Sequence, residues 1–299
     1  MQTIGIYQSV YSEAVRDFLD HGFIPLNRIG NPEPELRELG IHCDMFDAGL
    51  HRQHDLTGLV SPKFFSKTLL RSSHVHCWIE ENPGYDLYLI NARPFVPYTT
   101  FNCIDRAERA HGPNFERRFR QMCSDIGLKT PEVIGRQNHT NTVYCSYWCG
   151  TQALWERWGN EVLRPLRALQ GSNHASVDLF VRVPYPSPTP VYNIAFFYER
   201  LMSVYLQAYD VRYLAFPWTE ERILALDYHP LVREYLRSAI PWVDEIDRTN
   251  GWTQARRAEL SARYEPVRRQ SGVEGHEVEA FDPADFNRPR RNPNVDRFE

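Results

Sequence analysis

The chain has 299 residues, 42% hydrophobic, 13% aromatic and 24% charged, which is the composition of a packed globular protein and excludes disorder along most of its length. A formal net charge of -4 gives no global pull toward nucleic acid or an anionic membrane, so no nucleic-acid partner is expected and any polyanionic ligand must meet a local basic cluster. No run approaches the ~18 apolar residues of a spanning helix, and MQTIGIYQSV lacks the basic and apolar regions of a signal peptide, so the expectation is a soluble, cytoplasmic protein.

Thr3-Ile4-Gly5-Ile6-Tyr7 is a short apolar run followed by polar Gln8 and Ser9, and residues 12–20 are helix-compatible, so the chain opens as a βα unit. Phe23-Ile24-Pro25-Leu26 reads as a second strand, Asn31-Pro32-Glu33-Pro34 as the capped start of a new element, and residues 41–46 as a third apolar piece. Residues 56–60 form another apolar run, after which Ser61 suits an N-cap and Pro62 a first helical residue, placing Lys63 and Lys67 one turn apart. A helix from Ser72 or Ser73 to Glu81 ends on Asn82-Pro83-Gly84, and the clearest strand, residues 85–90, closes on Asn91-Ala92-Arg93-Pro94.

Residues 113–126 are a charged amphipathic helix, 142–149 an aromatic and β-branched strand, and 151–169 a helix. Prolines punctuate residues 184–190 as a loop leading into a long apolar helix over 191–209, and residues 213–216 are a last strand. Beyond Asp247 the composition turns polar, with one helix over 253–269 and then a Pro/Arg/Asn tail with little to bury. The expected fold is α/β, a Rossmann-like mixed sheet flanked by helices spanning 1–247, with a C-terminal helical and extended appendage over 248–299. That appendage would dock on the core or on a membrane-associated assembly, and a chain cut after about residue 247 is expected to fold.

In an open α/β sheet, ligands sit beyond the carboxyl ends of the strands, which selects Gln8 and Ser9, then Lys63 and Lys67, then Asn91 and Arg93. Lys63, Lys67 and Arg93 together suit a diphosphate, although such residues also serve as ordinary loop polarity. In the 191–209 helix apolar residues cover nearly every face, so Glu199 beside Arg200 is a carboxylate carried into an apolar setting, where it must be paired or used. His74 and His76 diverge on a helix and select no metal. The six cysteines form no C-x-x-C and read as reduced core thiols, and no P-loop, dinucleotide or hydrolase motif occurs.

Leu59-Val60-Ser61-Pro62-Lys63-Phe64-Phe65-Ser66-Lys67-Thr68, then Pro83-Gly84-Tyr85-Asp86-Leu87-Tyr88-Leu89-Ile90-Asn91, then Glu199-Arg200-Leu201, resemble segments of GT-A-type glycosyltransferases from bacterial capsule and O-antigen biosynthesis loci. The resemblance runs in order through residues 1–225. It implies a nucleotide-sugar donor at the carboxyl edge of the sheet, a glycan or lipid-linked glycan acceptor, and functional positions at Lys63, Asp86, Asn91, Glu199 and Arg200, with Asp86 and Glu199 as the catalytic carboxylates. A divalent metal is compatible with that family, yet the Asp-x-Asp that would hold it occurs nowhere in this chain, so no metal ligands are assigned. The alternative is a non-catalytic member of the fold that binds a glycan or a partner protein, for which 7 tryptophans and 16 tyrosines offer stacking surfaces.

Overall fold

A computed structural model describes residues 2–183 and 190–271. The loop expected at 184–190 falls, apart from Pro190, outside the described residues, as does the tail after Gly272. In chain order the elements are β1 (Ile4–Val10), α1 (Glu13–Arg16), β2 (Ile24–Asn27), α2 (Glu38–Asp47), β3 (Leu56–Val60), α3 (Phe64–Thr68), α4 (Ser72–Glu81) and β4 (Leu87–Leu89). They continue as α5 (Cys103–His111), α6 (Phe115–Asp125), β5 (Trp148–Thr151), α7 (Gln152–Trp158), α8 (Arg164–Leu169), β6 (Arg182–Val183) and β7 (Val191–Tyr192). The last are α9 (Ile194–Ala208), β8 (Tyr213–Ala215), α10 (Glu220–Ala225), α11 (Pro230–Arg248) and α12 (Gln254–Ser271).

Six strands form one mixed sheet in the order β2-β1-β3-β5-β4-β8, and β6 with β7 makes a separate short ribbon. Five of the six run parallel; β5 alone runs against its neighbours β3 and β4. The fold is therefore α/β, a mixed six-stranded sheet flanked by helices, an arrangement compatible with a Rossmann-like fold. β3 is buried along its whole length, as a central strand covered on both faces must be. Its Gly58 lies opposite Cys149, where an added Cβ would come within 2.8 Å of the Trp148 carbonyl oxygen, so the close β3–β5 approach requires a glycine. Pro25 is tolerated because β2 is an edge strand.

Several elements differ from the sequence expectation for identifiable reasons. β1 extends through Val10, so Gln8 and Ser9 are strand residues paired with Pro25 and Leu26 rather than the loop that follows. The predicted strand over 142–149 is strand only from Trp148, because the chain first makes a tight turn at Cys145 and Ser146. Residues 151–169 are helical but pass through a π-helical stretch, Gly159–Leu163, just before Pro165, whose missing N–H cannot continue the regular ladder. The start of the predicted 191–209 helix is drawn into the β6–β7 ribbon.

α12 runs back along α11: Tyr264 packs on Tyr235, and near the turn Trp252 donates its indole N–H to Asp247. Leu260 and Tyr264 are buried in the same hydrophobic core as the sheet, and Arg257 pairs with Asp105 on α5. Residues 248–271 thus contribute side chains to the central core. Among the described residues no helix is long and apolar enough to cross a membrane.

Candidate functional site

The site grows from the turn that precedes β5. Tyr144-Cys145-Ser146-Tyr147 closes on a hydrogen bond from Tyr147 N to Tyr144 O at 3.4 Å, and its two central residues lie in the left-handed region, with φ of 58° and 54°. Two successive non-glycine residues in that region cost about 1–2 kcal/mol each, so the surroundings must hold them there. Ile90 N donates to Tyr147 O at 2.9 Å, the Tyr147 hydroxyl bonds Ser61 Oγ, and Cys145 N donates to Glu199 Oε1 at 3.1 Å. Lys67 Nζ adds a bond to Cys145 Sγ at 3.0 Å and lies over the Tyr147 ring. Because β5 is antiparallel, this turn reaches the carboxyl edge of the parallel strands, beside the residues that follow β3 and β4.

α9 brings Glu199 there. The preceding residue, Tyr198, is locked in the core: its hydroxyl bonds His42 Nδ1 and accepts Trp158 Nε1–H at 3.2 Å. Burial pushes the His42 imidazole down to about 3, so that contact stays neutral. Glu199 keeps 24% of its side chain exposed, whereas Arg200 keeps 3%. Arg200 Nη1 donates to Glu199 Oε2 at 3.0 Å and to Phe196 O at 2.6 Å, and Nη2 donates to His111 Nε2 at 3.3 Å. Burial works against the Glu199 charge, but Arg200, then Arg93, the Cys145 N–H and Lys67 outweigh it and hold its pKa at about 2. Glu199 is a permanent carboxylate at neutral pH.

The cations around it are Lys67, Arg93, Arg106 and Arg200. Burial opposes the Lys67 charge, yet the Cys145 thiol and Tyr147 phenol beside it raise its pKa overall, so it stays an ammonium ion. Burial, helped by Cys145 and Glu38, raises the Tyr147 phenol against the opposing pull of Lys67 and the Ser61 hydrogen bond. Arg106, on α5, lies over the rings of Phe95 and Tyr144; burial, with Arg93 and Arg200 nearby, pushes it down to about 10, and it too stays charged. Glu38 lies near both Lys67 and Glu199, with its pKa raised chiefly by burial.

Arg106 is placed by the start of α5. Asn102 caps that helix, its Oδ1 accepting from Ile104 N at 3.0 Å and Asp105 N at 2.8 Å, while its Nδ2 holds Ile134 O at 2.9 Å. Asn102→Ala is expected to lower stability by about 1–2 kcal/mol, measured by urea denaturation; an unchanged midpoint would show that the cap contributes nothing.

The structure brings together Lys67, Arg93, Glu199 and Arg200 from the residues singled out in the sequence. Lys63 stands in the turn before α3, its carbonyl accepting from Lys67 N at 3.1 Å. Asn91 is buried at the end of β4, where its Oδ1 accepts from Arg93 N at 2.9 Å and its Nδ2 has no partner among the described residues. Gln8 is consumed by the fold, because its Nε2 donates to Ser61 O at 3.3 Å and its Oε1 accepts from Asp20 N at 3.0 Å. Ser9 is buried within β1. These two lose the donor-binding role the loop reading gave them. Asp86 does not join the cluster: it precedes β4 at the opposite, amino edge of the sheet and faces Arg212 at 3.9 Å. It has no place in chemistry at Glu199.

Arg106, Tyr144, Cys145 and Tyr147 are site residues that sequence reasoning missed. A groove of about 740 Å³ lies elsewhere, between α5 and the start of α12, lined by Phe101, Arg109, Trp252 and Arg257 among others; none of the cluster lines it. Among the described residues no three His, Cys, Asp or Glu side chains converge as metal ligands, and both Glu199 oxygens are committed to Cys145 N–H and Arg200. That donor set does not fit a divalent cation. The chain matches no protein-family model, no curated protein and no solved structure.

Proposed function

We propose that the chain is a GT-A-like glycosyltransferase that moves a sugar from a nucleotide-sugar donor to a polysaccharide or glycolipid acceptor. The observation that carries this reading is an ionised Glu199 ringed by Lys67, Arg93 and Arg200 at the carboxyl edge of a Rossmann-like sheet, where α/β folds bind their ligands. Lys67 and Arg93, with Lys63 in the adjoining turn, hold the donor diphosphate. When the bond from the anomeric carbon to the diphosphate breaks, its electron pair leaves with the diphosphate, and these cations take up that charge. The acceptor hydroxyl oxygen bonds to the anomeric carbon and its proton passes to water.

Glu199 suits one of its two conceivable tasks. With a pKa of about 2 it is a weak proton acceptor at neutral pH, since a general base works best near the working pH. A fixed carboxylate instead steadies positive charge developing on the sugar and aligns the cations around it. Against a panel of UDP-, GDP-, CMP- and dTDP-sugars, at least one donor should raise the melting temperature and be consumed with a glycan acceptor. Neither shift nor turnover from any of them would remove the proposal. Glu199→Gln is expected to keep donor binding while turnover falls by about 100-fold; full cellular function in that variant would favour the non-catalytic, glycan-binding reading.

A further inference from the structure

Two helices each bring a carboxylate to the carboxyl edge of the sheet. Tyr198 and Glu199 are consecutive on α9, and the Tyr198 hydroxyl bonds His42 Nδ1 on α2, which locks the two helices together at that level. Glu38 is the first residue of α2, four before His42, so it lies on the same helix face one turn nearer the N-terminus. Because α2 follows the parallel strand β2, that N-terminus stands at the carboxyl edge, beside Lys67 and Glu199. The fold uses the two carboxylates differently. Both Glu199 oxygens are committed, to Cys145 N–H and to Arg200. Among the described residues the half-buried Glu38 makes no ion pair, and its carboxylate accepts a hydrogen bond only from its own backbone N–H.

We propose that Glu38 is the general base of this site, taking the proton of the acceptor hydroxyl while Glu199 stays ionised throughout. This deepens the glycosyltransferase reading and rests on it. The hydroxyl oxygen forms its bond to the anomeric carbon with its own electron pair, and the bond to the diphosphate breaks with its pair going to the diphosphate. The proton passes to a Glu38 oxygen and from there to water. A base needs a free oxygen that a hydroxyl can reach and a proton affinity near the working pH. Glu38 meets the first need by its uncommitted, half-buried carboxylate. For the second, burial lifts its pKa above the ordinary 4.5 against the pull of Lys67, and the Glu199 charge adds to the rise. The charged and titratable groups that face it are Lys67 on α3, Glu199 and Tyr198 on α9, Tyr11 after β1, Tyr147 in the turn and Arg37 beside it in the chain. Two carboxylates whose surroundings push them in opposite directions divide the work between them, one fixed in charge and one exchanging a proton.

The test uses the full chain and whichever UDP-, GDP-, CMP- or dTDP-sugar is turned over, with kcat and KM measured against pH. The unaltered protein should lose activity on acidification along a limb centred above 4.5, where Glu38 takes up a proton; Glu199, at about 2, cannot produce that limb. Glu38→Gln should lower kcat by about 100- to 10,000-fold, leave the donor KM within roughly twofold, and abolish the acid limb. A raised folded-state pKa means that the ionised carboxylate costs stability at neutral pH, so the same variant should melt about 2 °C higher at pH 7.5. Glu38→Ala should be equally slow, should regain tenfold or more on adding sodium formate, and serves if Glu38→Gln does not fold. Turnover within about threefold of the unaltered protein in Glu38→Gln, an acid limb that persists in it, or no rescue of Glu38→Ala by formate would overturn the assignment while leaving the glycosyltransferase reading in place. Absence of turnover with every donor in the unaltered protein would instead remove that reading and the base with it.

Discussion

Arg200→Gln is expected to destabilise the fold by about 3–5 kcal/mol at pH 7, because it leaves the Glu199 carboxylate without its nearest cation in a largely apolar setting. The loss should depend on pH in a defined direction. The folded-state pKa of Glu199, about 2, lies below the ordinary 4.5, so its ionised form stabilises the native state fully above pH 4.5 and that contribution fades as pH falls toward 2. A shift of that size corresponds to about 3 kcal/mol at neutral pH, of which about 2 kcal/mol is gone by pH 3. Urea denaturation of both proteins at pH 7 and pH 3 checks this: the gap between them should narrow on acidification. An equal gap at both values would mean that Arg200 acts through packing on Tyr144 and Phe115 and not through Glu199.

Under the proposed glycosyl transfer, Lys67→Gln is expected to reduce kcat/KM by about 100- to 1,000-fold, the usual loss when a fixed charge aimed at a leaving group is removed. Stability should change little, since Lys67 is partly exposed and the one hydrogen bond its side chain makes among the described residues is to the Cys145 sulfur. Steady-state kinetics with whichever donor of the panel is turned over separates the outcomes. A variant with normal turnover would place the diphosphate away from Lys67, and one that unfolds would show that the Lys67–Cys145 contact is what holds the left-handed turn.

Part of this site is legible in the sequence because its residues directly follow apolar runs. Arg93 trails the clearest strand and Lys67 lies one turn beyond Lys63, so knowing where strands end is nearly enough to find them. Glu199 and Arg200 stand out by burial: a charged pair in a helix apolar on almost every face has to be explained. Other parts depend on contacts between distant segments. Residues 103–111 read as an ordinary amphipathic helix, and nothing local tells that Arg106 turns inward onto Phe95 and Tyr144, the latter 38 residues further on.

The turn at Cys145 and Ser146 misleads in the opposite way. Its neighbours Tyr144, Tyr147 and Trp148 have strand composition, and no Asn or Gly announces two left-handed residues; the conformation is imposed by Glu199, Ser61 and Ile90 from elsewhere in the chain. Asp86 and Asn91 show what motif similarity omits. Both lie in one similar segment, but β4 separates them, and only Asn91 is at the carboxyl edge. The direction of a strand decides which end meets a ligand, and similarity of sequence alone does not use it.

The central claim is that the carboxyl-edge cluster around Glu199 binds the donor through its diphosphate. A crystal structure of the protein grown with the nucleoside diphosphate that raises its melting temperature most tests this directly. The account predicts diphosphate oxygens within hydrogen-bond distance of Lys67 Nζ and the Arg93 guanidinium; a nucleotide seated instead in the groove between α5 and α12, against Trp252 and Arg257, would contradict it.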